Sequence, residues 1–264
     1  STHCISSAAS DVYKRQSLTF DHVNYRYTGA EALALTDVNF SATAGQTVAI
    51  IGGTGSGKST LVNLIPRLFD PESGQIRLNG TALTDMTQHD IHGAISITQQ
   101  KAVLFSGTIR SNMVYGMPDA TDEQITHALD VAQASDFVKE EGGLDATVEQ
   151  DGANFSGGQR QRLVIARTIL KRASVYIFDD SFSALDFKTD SLLRQDLRKD
   201  EQVQDGVTVI VAQRVSTVAD ADLILVIDGG KIVGQGTHDE LKATNKTYQE
   251  ILDSQLRKGE VVDA

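Results

Sequence analysis

The 264-residue sequence predicts an α/β fold with a mostly parallel sheet, an N-terminal antiparallel β-subdomain and an inserted α-helical subdomain. Three observations lead to this prediction. Short, continuously apolar strands alternate with helical segments, which is typical of a parallel sheet covered on both faces. Polar and apolar residues alternate near the N-terminus, as in antiparallel strands with one exposed face. A glycine-rich loop joins a strand directly to a helix.

The composition is acidic, with 24 Lys and Arg against 35 Asp and Glu, which gives a formal net charge of −11. Overall charge therefore favours neither nucleic acid nor an anionic membrane as a partner, and any polyanion must be bound by a local device. The longest apolar runs, at 207–212 and 223–227, are shorter than the roughly 18 residues of a transmembrane helix. Direct membrane insertion of this segment is not predicted.

Residues 1–16 lack hydrophobic periodicity, and the sequence changes character at Ser17. They are similar to translated adaptor sequence, so we expect a non-native or disordered leader, with a natural flexible linker as the alternative. Cys4 is the single cysteine and lies in this leader, which excludes an internal disulfide. The folded domain is expected over 17–257, followed by a tail over 258–264.

The elements of the first half follow from local patterns. From Leu18 a period-two alternation, repeated at 38–42, predicts paired antiparallel strands. Thr47–Ile51 predicts a buried strand, and apolar residues at helical spacing follow the glycine-rich loop. Further strands are predicted at 75–78 and 95–98.

Residues from about 105 to 170 are predicted to be mainly helical and form the inserted subdomain. Thr121 stands before two acidic residues as the N-cap of one helix, and 155–159 leads another. Strands return at 175–179, 207–212 and 223–228, with a helix near 187–198, a hairpin at 228–231 and two short helices at the end.

The glycine-rich loop over residues 52–59 matches the pattern G-x-x-x-x-G-K-[ST]. Its backbone N–H groups are expected to surround phosphates at a helix N-terminus. Lys58 is expected to contact the β- and γ-phosphates, and the Ser59 hydroxyl to ligate Mg²⁺. A flexible connector is the alternative, which the flanking strand and helix disfavour. The residues assigned to nucleotide binding here are Gly52, Gly53, Thr54, Gly55, Ser56, Gly57, Lys58, Ser59 and Thr60.

Asp179 ends the apolar strand 175–179, which is how a second Mg²⁺ ligand is placed in P-loop NTPases. The alternative is an aspartate that caps a helix or stabilises a turn. Together with the glycine-rich loop, the strand predicts a P-loop NTPase core of the RecA-like type.

Further motifs make the chain similar to the nucleotide-binding domain of ATP-binding cassette (ABC) transporters over about 18–255. Phe155-Ser156-Gly157-Gly158-Gln159 resembles the family's LSGGQ signature, and Ser183-Ala184-Leu185-Asp186 matches its D-loop. Gln100 lies at the place of the Q-loop glutamine, which also contacts the metal. Tyr27 lies at the place of the aromatic residue that stacks on adenine.

Within this family, residues 104–116 and 236–241 resemble exporters of the multidrug or lipid type. The resemblance implies ATP and Mg²⁺ as cofactors and an ATPase that drives export at the cytoplasmic face of the plasma membrane. It also implies a transmembrane domain and a second nucleotide-binding domain as partners. Each ATP would then lie between the loop of one domain and the signature of the other.

Two positions depart from the family pattern at the catalytic site. Asp180 stands where the family has the glutamate that polarises water, and Gln213 where it has the switch histidine. Aspartate is shorter by one methylene, and glutamine cannot carry a proton. The chain therefore resembles the degenerate half of a heterodimeric exporter, with weak hydrolysis at its own site. A further departure, at 149–152, precedes the signature.

Alternative interpretations remain at this stage. A cassette ATPase acting as a nucleotide-dependent clamp in DNA repair or translation shares the motifs, and a small-molecule kinase shares the loop. Tyr27 could serve packing, Gln100 could be a turn residue, and Ser156 could be an ordinary N-cap.

Overall fold

The computed structural model describes residues 17–257. The predictions for the leader, including Cys4, and for the tail lie outside the described residues. The strands are β1 (Ser17–Tyr25), β2 (Leu35–Thr43), β3 (Thr47–Ile51), β4 (Ser73–Leu78), β5 (Thr81–Ala82), β6 (Ile95–Thr98), β7 (Gly107–Thr108), β8 (Thr147–Val148), β9 (Val175–Asp179), β10 (Val207–Val211), β11 (Leu223–Asp228) and β12 (Lys231–Gly236).

Residues 17–257 also form eleven α-helices. They are α1 (Lys58–Leu64), α2 (Gln88–Ala94), α3 (Ile109–Met113), α4 (Asp122–Val131), α5 (Ser135–Glu140), α6 (Gly157–Leu170), α7 (Phe187–Lys199), α8 (Glu201–Gln204), α9 (Val215–Val218), α10 (His238–Thr244) and α11 (Lys246–Arg257). None of these helices combines the length and the apolar character that crossing a bilayer requires.

The main sheet has six strands in the order β12-β11-β3-β10-β9-β6. All neighbours are parallel except β12, which pairs antiparallel with β11 at the edge. The predicted parallel α/β sheet is therefore confirmed. Because parallel strands share one direction, the segments that follow β3, β10, β9 and β6 all emerge at the carboxyl ends of the strands, along one side of the sheet.

The two faces of this sheet belong to two separate hydrophobic clusters. Ile177 of β9 packs with α1 and the antiparallel strands, whereas its neighbour Phe178 packs with α6 on the other side. Both side chains are fully buried. Burying a side chain of this size stabilises the fold by roughly 1.5–3 kcal/mol. The strand ends that carry polar residues are thus held by a rigid core.

The antiparallel subdomain has the strand order β2-β1-β4-β5. It confirms the alternation predicted from Leu18, since Phe20 of β1 pairs with Phe40 of β2 and the rings stack with centroids 4.6 Å apart. The subdomain covers the face of the main sheet that carries α1.

The region predicted to be mainly helical holds α3 to α6. Thr121 caps α4 as expected, since its side chain accepts the Gln124 N–H and the Gln124 side chain accepts the Thr121 N–H. A two-stranded ribbon of β7 and β8 also lies here, and the sequence did not indicate it. Pairs of two-residue strands carry no readable periodicity.

Candidate functional site

The glycine-rich loop lies between β3 and α1, and its sequence suits its tight path. A Cβ at Gly52 would lie 2.1 Å from the Ile227 carbonyl oxygen, so no larger residue fits there. Gly57 caps α1 in a left-handed conformation with φ of 110°. Lys58 Nζ donates to the carbonyl oxygens of Gly52 and Gly53, both over 2.8 Å. The lysine therefore curls over its own loop.

The loop offers the features that a phosphate group requires. The space beside the Cα atoms of Gly53 and Gly55 is open, with no atom within 4 Å of a Cβ placed there. Ser56 Oγ is buried and has no hydrogen-bond partner among the described residues. Burial lowers the pKa of Lys58, while Asp180 and Asp179 act in the opposite direction. A phosphate group would fit this loop, because it offers accessible backbone at Gly53 and Gly55, the unpartnered Ser56 hydroxyl and the half-buried Lys58 cation.

A pocket of about 330 Å³ adjoins the loop and extends towards Tyr27. The Tyr27 hydroxyl lies 2.8 Å from Thr60 Oγ1, and the side chain remains 42% exposed. Its ring packs edge-on against Tyr25 and Phe69, with centroids 5.0 and 5.9 Å away. The ring is thus fixed on one side and open on the other. The lining residues are Tyr27, Leu33, Ala34, Gly55, Gly57, Lys58, Ser59, Thr60, Gly229 and Gly230.

Asp180, Gln213 and Gln100 come together at the carboxyl ends of the parallel strands. They follow β9, β10 and β6, which are neighbours. Asp180 Oδ2 accepts from Gln213 Nε2 over 2.7 Å and from Gln100 Nε2 over 3.4 Å. The Asp180 backbone has φ of 48°, a left-handed conformation that aspartate tolerates better than most residues. The resemblance to the ABC family singled out all three residues, and the structure joins them around one carboxylate.

Asp179 lies at the end of β9, beside this carboxylate. Burial raises the pKa of Asp179, the neighbouring Asp180 raises it further, and Lys58 lowers it. The predicted Mg²⁺ ligands Ser59, Gln100 and Asp179 follow or end β3, β6 and β9. A hydroxyl, an amide and a carboxylate supply the oxygen donors that Mg²⁺ prefers. No group of three or more His, Cys, Asp or Glu side chains in residues 17–257 could hold a metal.

The signature segment lies at the start of α6. Ser156 is the N-cap: its Oγ accepts the Gln159 N–H over 3.2 Å, and Gln159 Oε1 accepts the Ser156 N–H over 2.8 Å. Phe155 is buried against Phe137, while the space beside Gly157 is open. Among the described residues no hydrogen bond joins this segment to the glycine-rich loop.

The D-loop connects the carboxylate to the signature helix of the same chain. Ser183 Oγ donates to the Asp180 carbonyl oxygen over 2.9 Å. A Cβ placed on Gly158 would lie 3.4 Å from the Ala184 carbonyl oxygen, so the loop runs directly beside α6. Leu185 is buried, and Asp186 caps α7 by accepting the Thr189 N–H over 3.0 Å.

The hairpin between β11 and β12 also contributes to the site. The sequence predicts this hairpin but not its position beside the glycine-rich loop. The Gly230 N–H donates to the Ser56 carbonyl oxygen over 2.9 Å, and the Gly230 carbonyl oxygen accepts the Thr36 N–H over 2.8 Å. A Cβ on Gly230 would lie 2.4 Å from the Ala34 carbonyl oxygen. The adjacent glycines at 229 and 230 were the available signal, but they indicate only a turn until the strand order is known.

Comparison with known proteins decides the family. The ABC transporter family profile matches residues 35–183, more than half of the chain. The chain belongs to the ABC transporter family. An uncharacterised ABC transporter ATP-binding protein of Mycobacterium tuberculosis is 46% identical over 235 residues, 88% of this chain and 40% of that protein. A Staphylococcus aureus protein named for multidrug export, an ATP-binding/permease protein, is 42% identical over 90% of this chain and 41% of its own length.

Among solved structures, a bacterial Atm1-family ABC exporter with ATP bound is similar, with a TM-score of 0.86 and 36% identity. The match covers 92% of this chain and 42% of that protein. The predicted fold of an ABC ATPase domain, with its P-loop core, antiparallel subdomain and helical insert, is therefore confirmed. Family membership excludes the small-molecule kinase. The chain spans about 40% of the length of the curated relatives it matches.

Proposed function

We propose that the chain binds ATP with Mg²⁺ and hydrolyses it as the nucleotide-binding domain of an exporter at the cytoplasmic face of the membrane. The observation that carries the proposal is the convergence of Lys58, Asp179 and Asp180 at one sheet edge, beside an open glycine-rich loop. The exporter relatives, which are longer ATP-binding/permease proteins, support a transmembrane domain as its partner.

The nucleotide fits along the pocket from Tyr27 to the loop. The open face of the Tyr27 ring suits an adenine base, and stacking on an aromatic ring stabilises bound bases. Lys58 and the backbone N–H groups of the loop would hold the phosphates, and Ser59, Gln100 and Asp179 would hold Mg²⁺. Bound Mg²⁺ supplies positive charge to the phosphate oxygens.

We infer that hydrolysis at the chain's own site is slow. Asp180 places its carboxylate about one C–C bond, or roughly 1.5 Å, short of a glutamate's. A misplacement of this size costs on the order of 10²-fold in rate. The same carboxylate oxygen accepts from the amides of Gln213 and Gln100. That oxygen is therefore already engaged as a hydrogen-bond acceptor, and the Gln213 side chain has no ionisable proton to exchange.

The signature is proposed to act on a partner's ATP. The N-terminal turn of α6 exposes Gly157 and backbone N–H groups, which suits a phosphate approaching from outside the chain. The partner is a second nucleotide-binding domain, with the signature of each lying over the loop of the other. A partner that carries the usual glutamate and histidine would make the pair a heterodimer with one fast and one slow site.

Equilibrium binding of Mg·ATP to the full chain tests the nucleotide site. Lys58→Ala is expected to weaken binding roughly 10- to 100-fold, since it removes a charged hydrogen-bond donor. Lys171→Ala is a matched control, because Lys171 is also half-buried and donates to backbone carbonyls, here of His92 and Ile95. Equal affinities for Lys58→Ala and Lys171→Ala would refute the assignment.

A further inference from the structure

We propose that Gln255, near the end of α11, is a positioning residue that fixes the loop from Gln213 to Val215. Its Oε1 accepts the Val215 N–H over 2.8 Å, and its Nε2 donates to the Gln213 carbonyl oxygen over 2.7 Å. The side chain is 7% exposed. One buried amide therefore binds the backbone on both sides of Arg214.

The Val215 N–H in this loop finds its acceptor outside the local sequence. Val215 is the first residue of α9, and the N–H groups of a first helical turn have no partner inside the helix. Arg214 is the N-cap and makes no side-chain capping bond, since a guanidinium has no acceptor. Gln255 supplies the missing acceptor from 40 residues further along the chain.

The C-terminal helix is a firm support for this contact. Tyr248 is fully buried, and its hydroxyl lies 2.8 Å from His238 Nδ1. Its N–H donates to Asn245 Oδ1 over 2.8 Å, and Asn245 Nδ2 donates to the Val233 carbonyl oxygen over 2.8 Å. Leu252 packs in the same hydrophobic cluster as Val215. These contacts fix the position of α11 independently of the hydrogen bonds that Gln255 makes to the loop.

The anchored loop carries the residue that contacts the catalytic carboxylate. Gln213 Nε2 donates to Asp180 Oδ2, so a continuous path runs from Gln255 through the Gln213 backbone to Asp180. A cavity of about 320 Å³ beside this path is lined by Asp180, Gln213 and Gln255 among others. The loop therefore has room to move once the anchor is lost. The consequence for ATP rests on the proposed function, whereas the anchor itself does not.

Amide hydrogen exchange of the full 264-residue chain tests the anchor. Gln255→Met keeps the side-chain length and removes both hydrogen bonds, so Val215 is expected to exchange about tenfold faster. Gln249→Met is the matched control, because Gln249 lies in the same helix and its amide donates to the Lys242 carbonyl oxygen over 2.8 Å. It should leave Val215 unchanged. Gln255→Glu keeps the acceptor and should retain protection of Val215.

Two results of this experiment would overturn the proposal. One is unchanged exchange of Val215 in Gln255→Met. The other is equal acceleration at Val215 and at Val209 in β10, which would mark a general loss of stability instead of a local release.

The ratio of ATP to ADP affinity separates the anchor from the proposed function. If Gln213→Ala lowers this ratio, Gln255→Met should lower it too, and an unchanged ratio in Gln255→Met would contradict positioning. If Gln213→Ala leaves the ratio unchanged, Gln213 does not distinguish ATP from ADP at the proposed nucleotide site. Val215 exchange would then still support or overturn the anchor by itself.

Discussion

The side-chain amide of Gln213 donates to the Asp180 carboxylate over 2.7 Å, between the ends of two neighbouring parallel strands. Gln100 adds a longer contact of 3.4 Å to the same oxygen. The carboxylate that we propose polarises water is thus held by two neutral amides. Both sequence departures act on one carboxylate, which gives the proposal of a slow site its physical basis.

Substitutions at Ser156 should separate helix capping from phosphate binding. Ser156→Ala removes the cap of α6 and is expected to lower the free energy of unfolding by about 1 kcal/mol while keeping the backbone donors. Ser156→Asp keeps a cap but places a negative charge where a partner's phosphate would bind. It should retain stability and abolish ATP-dependent pairing, measured by light scattering. Pairing by Ser156→Asp at the wild-type level would reduce Ser156 to an N-cap.

Tyr27 is expected to bind the base through its ring and not through its hydroxyl. Tyr27→Phe loses only the contact to Thr60 and should leave ATP affinity within about twofold. Tyr27→Ala loses the stacking surface and should weaken binding by roughly tenfold. Isothermal titration with ATP checks both variants. Equal losses of ATP affinity in the two variants would instead mean that the hydroxyl, and not the ring, binds the nucleotide.

The raised pKa of Asp179 predicts a pH-dependent stability difference. Folded Asp179 holds its proton to higher pH than the unfolded chain does, so its contribution to stability falls as pH rises through that window. Asp179→Asn has no proton to lose. Its free energy of unfolding should exceed that of the wild type at neutral pH. The excess should shrink as the pH falls through the raised pKa of folded Asp179 and should vanish below the ordinary carboxyl pKa.

Asp186→Asn provides the opposite control in the same denaturation series. Hydrogen bonds from Thr189 lower the pKa of Asp186, so its charged form stabilises the fold above the ordinary carboxyl pKa. Removing the charge should therefore destabilise the protein at neutral pH, and the loss should vanish in acid. If Asp179→Asn raises the free energy of unfolding by the same amount at every pH, the raised pKa of Asp179 is not the cause.

The local sequence was enough to predict elements that depend on short-range patterns. The strands at 95–98, 175–179 and 223–228 have the predicted bounds, and β10 ends one residue earlier than predicted, at Val211. The loop from Gly52 to Ser59 has its own signal, because glycines, lysine and serine stand at fixed spacing between a strand and a helix.

Contacts between distant segments could not be predicted in this way. The bond between Gln213 and Asp180 depends on β10 and β9 being neighbours in the sheet, which only the strand order decides. Gln255 has no local signal, since one glutamine in an amphipathic helix resembles any other. The resemblance to a family supplied the expected roles of Gln100 and Tyr27, and the strand order then brought Gln100 to Asp180.

The central claim is that Asp180 and Gln213 together slow hydrolysis at this chain's own site. Single-turnover hydrolysis of Mg·ATP tests it most directly, at concentrations where two copies pair and each supplies the signature to the other. Asp180→Glu combined with Gln213→His should raise the rate on the order of 10²-fold. Adding Ser156→Arg to this double variant should remove the gain in hydrolysis rate. An unchanged rate in the double variant, with ATP binding intact, would contradict the account.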